Sequence, residues 1–89
     1  MYEIYYDPDF LKYLRKIKDR SIINIIAKRK NKLKEERRFR HLKYGLNHFV
    51  EEIGQYRLAF TEDNDNMIRT LVFVGTHKDY EKWLGLRKS

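Results

Sequence analysis

Arg57 and His77 are the residues whose type and placement offer chemistry. Arg57 lies in Gln55-Tyr56-Arg57-Leu58-Ala59-Phe60-Thr61. There Tyr56, Leu58 and Phe60 alternate with Arg57, Ala59 and Thr61, the period of a strand with one dry face and one open face. His77 follows a second strand, Met67 to Val74, in the run Val74-Gly75-Thr76-His77-Lys78-Asp79-Tyr80. An arginine on an open strand face and a histidine just past the neighbouring strand's end can hold a phosphate and move a proton. The guanidinium is planar and permanently charged. An imidazole, with an ordinary pKa of about 6.5, supplies both protonation states near neutral pH.

The elements that position these two residues can be read from the pattern. Glu62-Asp63-Asn64-Asp65-Asn66 joins the strands as a polar turn. The second strand is apolar on both faces, with Ile68, Thr70, Val72 and Val74 alternating against Arg69, Leu71 and Phe73, as in a central strand covered on both sides. Gly54-Gln55 makes a tight turn from a preceding strand, Asn47 to Ile53, and His41 to Gly45 reads as a turn or short edge strand. Upstream, Tyr2 to Tyr6 is a short β segment, and Asp7-Pro8 reads as a cap with proline in the first helical position. Phe10, Leu11, Leu14 and Ile17 predict a first helix of about three turns. Asp19-Arg20-Ser21 breaks it and caps a second, whose apolar stripe is Ile22, Ile23, Ile26 and Leu33. Lys78 to Leu86 is a closing helix with Tyr80, Trp83 and Leu84 on one side. The expected order is β-α-α-β-β-β-α. This is an α+β fold in which an antiparallel twisted sheet packs against an N-terminal helical hairpin, all helices on one face.

Residues 1–89 are expected to form a single domain with one modest core. The chain has no cysteine, which excludes disulfides and thiolate metal sites. Three well-separated histidines give no metal-ligand spacing, and neither a glycine-rich phosphate loop nor a nucleophile elbow occurs. No leader and no membrane-length apolar run is present, which predicts a cytoplasmic protein. The charge is concentrated. Lys28 to Lys43 carries nine basic residues against two acidic ones, which equals the whole net charge of +7. Charge held in one segment points to a polyanion, and we read Lys28, Arg29, Lys32, Arg37, Arg38, Arg40, His41 and Lys43 as nucleic-acid contacts.

The element order, with Gly54-Gln55-Tyr56-Arg57-Leu58 in the place of a glycine-x-tyrosine-arginine strand, resembles the RelE/ParE toxin superfamily. The segment Val74 to Tyr80 is similar to the closing glycine-(serine or threonine)-histidine-x-aspartate of YafQ-like members. The resemblance implies the toxin of a type II toxin–antitoxin pair. In the RelE-like branch it implies a ribosome-dependent mRNA endoribonuclease (an mRNA interferase) that inhibits translation without metal or cofactor. The alternatives are a ParE-like toxin that inhibits DNA gyrase, or a basic RNA-binding module.

Nuclease chemistry of this kind needs a base for the 2′-hydroxyl, an acid for the 5′-oxygen and positive charge on the phosphorane, yielding a 2′,3′-cyclic phosphate. His77 is the natural acid or base and Arg57 the phosphate clamp. His48 or His41 is the second proton carrier, and Asp79 is either a base or the cap of the last helix. Tyr80 and Trp83 stack on a base of the message, and Arg69 adds positive charge. Glu51-Glu52 departs from the basic residues many RelE-like toxins carry before the glycine turn. The implied partners are a cognate acidic antitoxin, the ribosome and mRNA.

Overall fold

The computed structural model describes residues 1–35 and 48–88, the last three of these as backbone only. The expected segment His41 to Gly45 lies outside the described residues. The elements are β1 (Glu3–Tyr6), α1 (Phe10–Arg15), α2 (Arg20–Lys32), β2 (Phe49–Ile53), β3 (Tyr56–Asp63), β4 (Ile68–Thr76) and α3 (His77–Lys88). Among the described residues they run β-α-α-β-β-β-α.

The four strands form one sheet in the order β1-β4-β3-β2. The meander β2-β3-β4 is antiparallel, and β4 is internal and buried over most of its length. The sheet as a whole is mixed, because β1 pairs with β4 in parallel, Glu3 opposite Ile68 through Tyr6 opposite Leu71. A parallel pair needs a long crossover, and the chain from α1 to β3 provides it.

The local signals explain most boundaries. Asp19 caps α2, its carboxylate accepting from the Ser21 backbone N–H at 2.9 Å and the Ser21 hydroxyl at 2.6 Å. These two bonds hold the Asp19 carboxyl below its usual range. The cap of α1 is Asp9 rather than Asp7. The Asp7 carboxylate accepts from the Asp9 N–H at 2.9 Å, so Asp7-Pro8 forms a turn ahead of a helix shorter than expected. Gly54 takes φ +58° in the two-residue β2–β3 turn, a left-handed value that glycine adopts without penalty.

Two apolar clusters lie on opposite faces of the sheet. Phe10 and Ile17, with Ile26 and Leu33 of the α2 stripe, pack on Ile53, Leu58, Phe60, Leu71 and Val74. Tyr80 and Trp83 of α3 pack with Val50, Ala59, Val72 and Phe73. The expectation of helices on one face is therefore corrected: neighbouring Leu58 and Ala59 point to opposite faces, and both are fully buried. The simple alternation along β4 is also broken. Phe60 pairs with Leu71 and Ala59 with Phe73, so Val72 is an extra residue at a bulge. The bulge sends Val72 and Phe73 together to the α3 side.

Candidate functional site

The site is assembled by three backbone relationships. Arg57 stands opposite Gly75 in the β3–β4 ladder and opposite Glu52 in the β2–β3 ladder. The His77 N–H donates to the Gln55 carbonyl at 2.7 Å, which ties the start of α3 to the β2–β3 turn. The Thr76 hydroxyl accepts from the Asp79 N–H at 3.1 Å, so Thr76 is the cap of α3. Together they bring Arg57 and His77 to one open depression of about 380 Å³, lined also by Gly54, Gln55, Thr76 and Lys78.

The Arg57 guanidinium is held in place. One terminal nitrogen donates to the Gly54 and Tyr56 carbonyls, both at 2.9 Å, and the other lies 3.3 Å from a Glu52 carboxylate oxygen. Its side chain keeps 16% of its surface exposed. His77 is open to solvent, and its Nε2 lies 2.8 Å from the Glu81 carboxylate. A carboxylate on one ring nitrogen orients the ring and fixes which nitrogen carries the proton. Glu81 is absent from the sequence expectations because they begin the closing helix at Lys78; a helix that begins at His77 puts Glu81 at i,i+4 from it.

The adjacent acids divide between faces. Glu51 pairs with Arg29 of α2 at 3.4 Å, while Glu52 faces Arg57. Neither carboxylate lines the depression, and only Glu52 touches a residue that does, Arg57. Asp79 occupies the first turn of α3, where its charge suits the helix dipole. It lines a neighbouring pocket with Lys82 and Trp83 rather than the depression with His77, and Thr76 is the cap in its place.

Several sequence-predicted contacts are corrected by burial. His48 is 2% exposed, hydrogen-bonded to the Tyr80 hydroxyl at 3.0 Å and edge-on to the Trp83 ring at 5.1 Å. A sealed imidazole of this kind supports α3 and meets no substrate. Trp83 stacks on Tyr80 and on Phe73, Tyr80 lies tilted against Phe73, and both are buried, so neither presents a ring face for a base. Burial pushes the Tyr80 hydroxyl up to about 12, while the Arg57 charge pulls it the other way.

Arg69 is 1% exposed. It donates to the Leu33 and Glu35 carbonyls at 2.7 and 2.6 Å and to the Glu62 carboxylate at 3.2 Å, beneath the Tyr2 ring. It anchors the end of α2 and is no nucleic-acid contact. On α2, Lys28 and Lys32 are exposed, but this helix packs on the sheet face opposite α3. The structure does not bring them to the depression. Arg37, Arg38, Arg40, His41 and Lys43 lie outside the described residues.

No family model matches the sequence, and no curated protein does. Solved structures do match the fold. The isolated RelE toxin of E. coli superposes with a TM-score of 0.73 at 17% identity, over 94% of this chain and 99% of that one. The toxin–antitoxin complex RelBE of E. coli gives 0.74 at 19% identity, over 85% and 96%. RelBE2 of Mycobacterium tuberculosis gives 0.71 at 19%, over 84% and 90%. The chain therefore has a RelE-like fold. Among the described residues no helix is long and apolar enough to cross a membrane, and no group of His, Asp and Glu gathers to hold a metal ion.

Proposed function

We propose that this chain is the toxin of a toxin–antitoxin pair and cleaves mRNA on the ribosome by metal-free attack of the 2′-hydroxyl. The observation that carries the reading is the meeting of Arg57 and His77 in one open depression on a RelE-like fold. In the proposed reaction the 2′-oxygen bonds to phosphorus, the bond to the 5′-oxygen breaks, and a cyclic phosphate forms. One group removes the 2′-hydroxyl proton and another supplies a proton to the departing 5′-oxygen. His77 performs one of these transfers, oriented by Glu81. Arg57 releases Glu52 to receive the phosphate, keeping its two carbonyl bonds as a hinge-free mount. The ribosome positions the message and supplies what a two-residue site lacks.

On this reading the 89 residues act as one cytoplasmic domain, and the exposed Lys28 and Lys32 add positive field for RNA. An acidic antitoxin neutralises the basic surface, a reading supported by neighbouring structures that are toxin–antitoxin complexes. The test is primer extension on a translated message after induction. Wild-type chain should give discrete cleavage, and His77→Ala should lower it by about 10²–10⁴-fold. Undiminished toxicity of His77→Ala would sink the nuclease. Intact messages with accumulating broken DNA would mark a gyrase inhibitor instead.

A further inference from the structure

Beside the depression, and sharing Thr76 with it, lies a second pocket of about 250 Å³. It exists because β1 stops early. The β1 register ends at Leu71, with one further bond from the Asp7 N–H to the Leu71 carbonyl at 2.9 Å, so the edge of β4 beyond Val72 has no strand against it. The end of α1 closes one side of the gap and α3 the other. Tyr13, Phe73 and Trp83 make an aromatic wall, with Tyr13 to Phe73 at 4.8 Å and Phe73 to Trp83 at 5.1 Å between ring centres. Gly75 makes room for that wall: a Cβ there would come within 2.9 Å of the Phe73 ring.

The polar groups at the mouth are Lys16, Lys82 and Asp79, all exposed, and none forms an ion pair with a described residue. A pocket with an aromatic wall, two free ammonium groups and one free carboxylate suits a ligand that is planar, anionic and carries a donor. We propose that it binds a nucleotide whose base bears an exocyclic amine. The base lies against the half-buried Tyr13 ring, the phosphate sits between Lys16 and Lys82, and Asp79 accepts from the amine. The same chemistry is offered by a free nucleoside monophosphate or by one unit of an RNA strand. The site stands apart from the cleavage proposal, since it uses neither Arg57 nor His77.

Trp83 is the sole tryptophan of the chain and lines the pocket, so its fluorescence reports occupancy. The full chain is titrated with adenosine, cytidine and uridine monophosphates, with inorganic phosphate, and with a short single-stranded RNA. Adenosine and cytidine monophosphates should give a saturable change, uridine monophosphate a weaker one, and phosphate alone almost none. Lys16→Ala and Lys82→Ala should each weaken binding about tenfold, and Asp79→Ala, which leaves no acceptor, should remove the preference for amine-bearing bases. A saturable response to RNA alone assigns the source to a strand; a response to monophosphates assigns it to free nucleotide. His77→Ala should respond like the wild type, which separates this site from the cleavage reading. No saturable response to any nucleotide, an equal response to phosphate, or a response unchanged in the doubly substituted Lys16→Ala, Lys82→Ala chain would overturn the proposal. Both lysines are exposed, and circular dichroism verifies that the variants are folded.

Discussion

Glu52 and Arg57 are direct partners across the β2–β3 ladder, and their side chains meet at 3.3 Å on the face that carries the depression. The free protein thus keeps a carboxylate on the guanidinium that a phosphate would claim. In the proposed reaction the phosphate must displace Glu52, whose carboxylate is half exposed while Arg57 is anchored by two carbonyls.

Removing the competitor should strengthen anion binding. An exposed ion pair of this kind contributes about 0.2–1 kcal/mol. Glu52→Gln should therefore raise affinity for single-stranded RNA by up to about fivefold, read by filter binding at fixed salt. Glu51→Gln, whose partner Arg29 lies on the other face, should leave that affinity unchanged.

Arg69 should decide stability rather than RNA affinity. It is buried, and it satisfies two carbonyls and a carboxylate at once. Arg69→Met would strand the Glu62 charge and the Leu33 and Glu35 carbonyls, at a cost of about 3–5 kcal/mol. Lysine should rescue little, because its single ammonium cannot span the three acceptors. The urea midpoint of each variant measures both effects.

Tyr80 gives the fold an alkaline limit. Its folded-state value of about 12 lies above that of an unfolded tyrosine, about 10. The folded state therefore holds the proton more tightly, and the contribution is full below pH about 10. It is lost as the pH rises towards 12, by up to about 3 kcal/mol. Tyr80→Phe should flatten this dependence relative to wild type. At neutral pH the same variant should be less stable by about 1–3 kcal/mol, since the buried His48 ring loses its hydroxyl partner. Denaturant melts at pH 8 and pH 11 compare the two chains.

What could be read from the sequence followed from local chemistry. Gly54-Gln55 turns because glycine tolerates φ +58°, Asp19 caps because its carboxylate reaches the Ser21 N–H, and Arg57 and His77 converge because β3 and β4 form a hairpin. What could not be read depended on pairing over distance. Val72 gives no sign of being a bulge, since the extra residue exists only relative to β3. The apolar side of α3 states that it is buried but not against which face, and His48 and Arg69 carry the same side chains whether exposed or sealed. The cost of burying them is met by Tyr80 and by Glu62, partners 32 and 7 residues away.

The β3–β4 turn holds one residue in a conformation its side chain disfavours. Asp63 pairs with Ile68, so residues 64–67 form the loop, and Met67 closes it at φ +56° rather than beginning β4 as the sequence predicts. Asp63 fixes the loop from the other end, its carboxylate accepting from the Asn66 backbone at 3.2 Å and side chain at 2.8 Å. These bonds hold the Asp63 carboxyl below its usual range. A left-handed backbone costs a non-glycine residue about 1–2 kcal/mol. Glycine escapes this strain but adds freedom to the unfolded chain, worth roughly 0.5–1 kcal/mol. Met67→Gly should therefore be neutral to stabilising by about 1 kcal/mol, whereas Met67→Val should destabilise, because a β-branched side chain suits φ > 0 least. Equilibrium urea unfolding of the three chains gives the order. Destabilisation by glycine exceeding that by valine would mean that the half-buried Met67 side chain contributes more than its backbone costs.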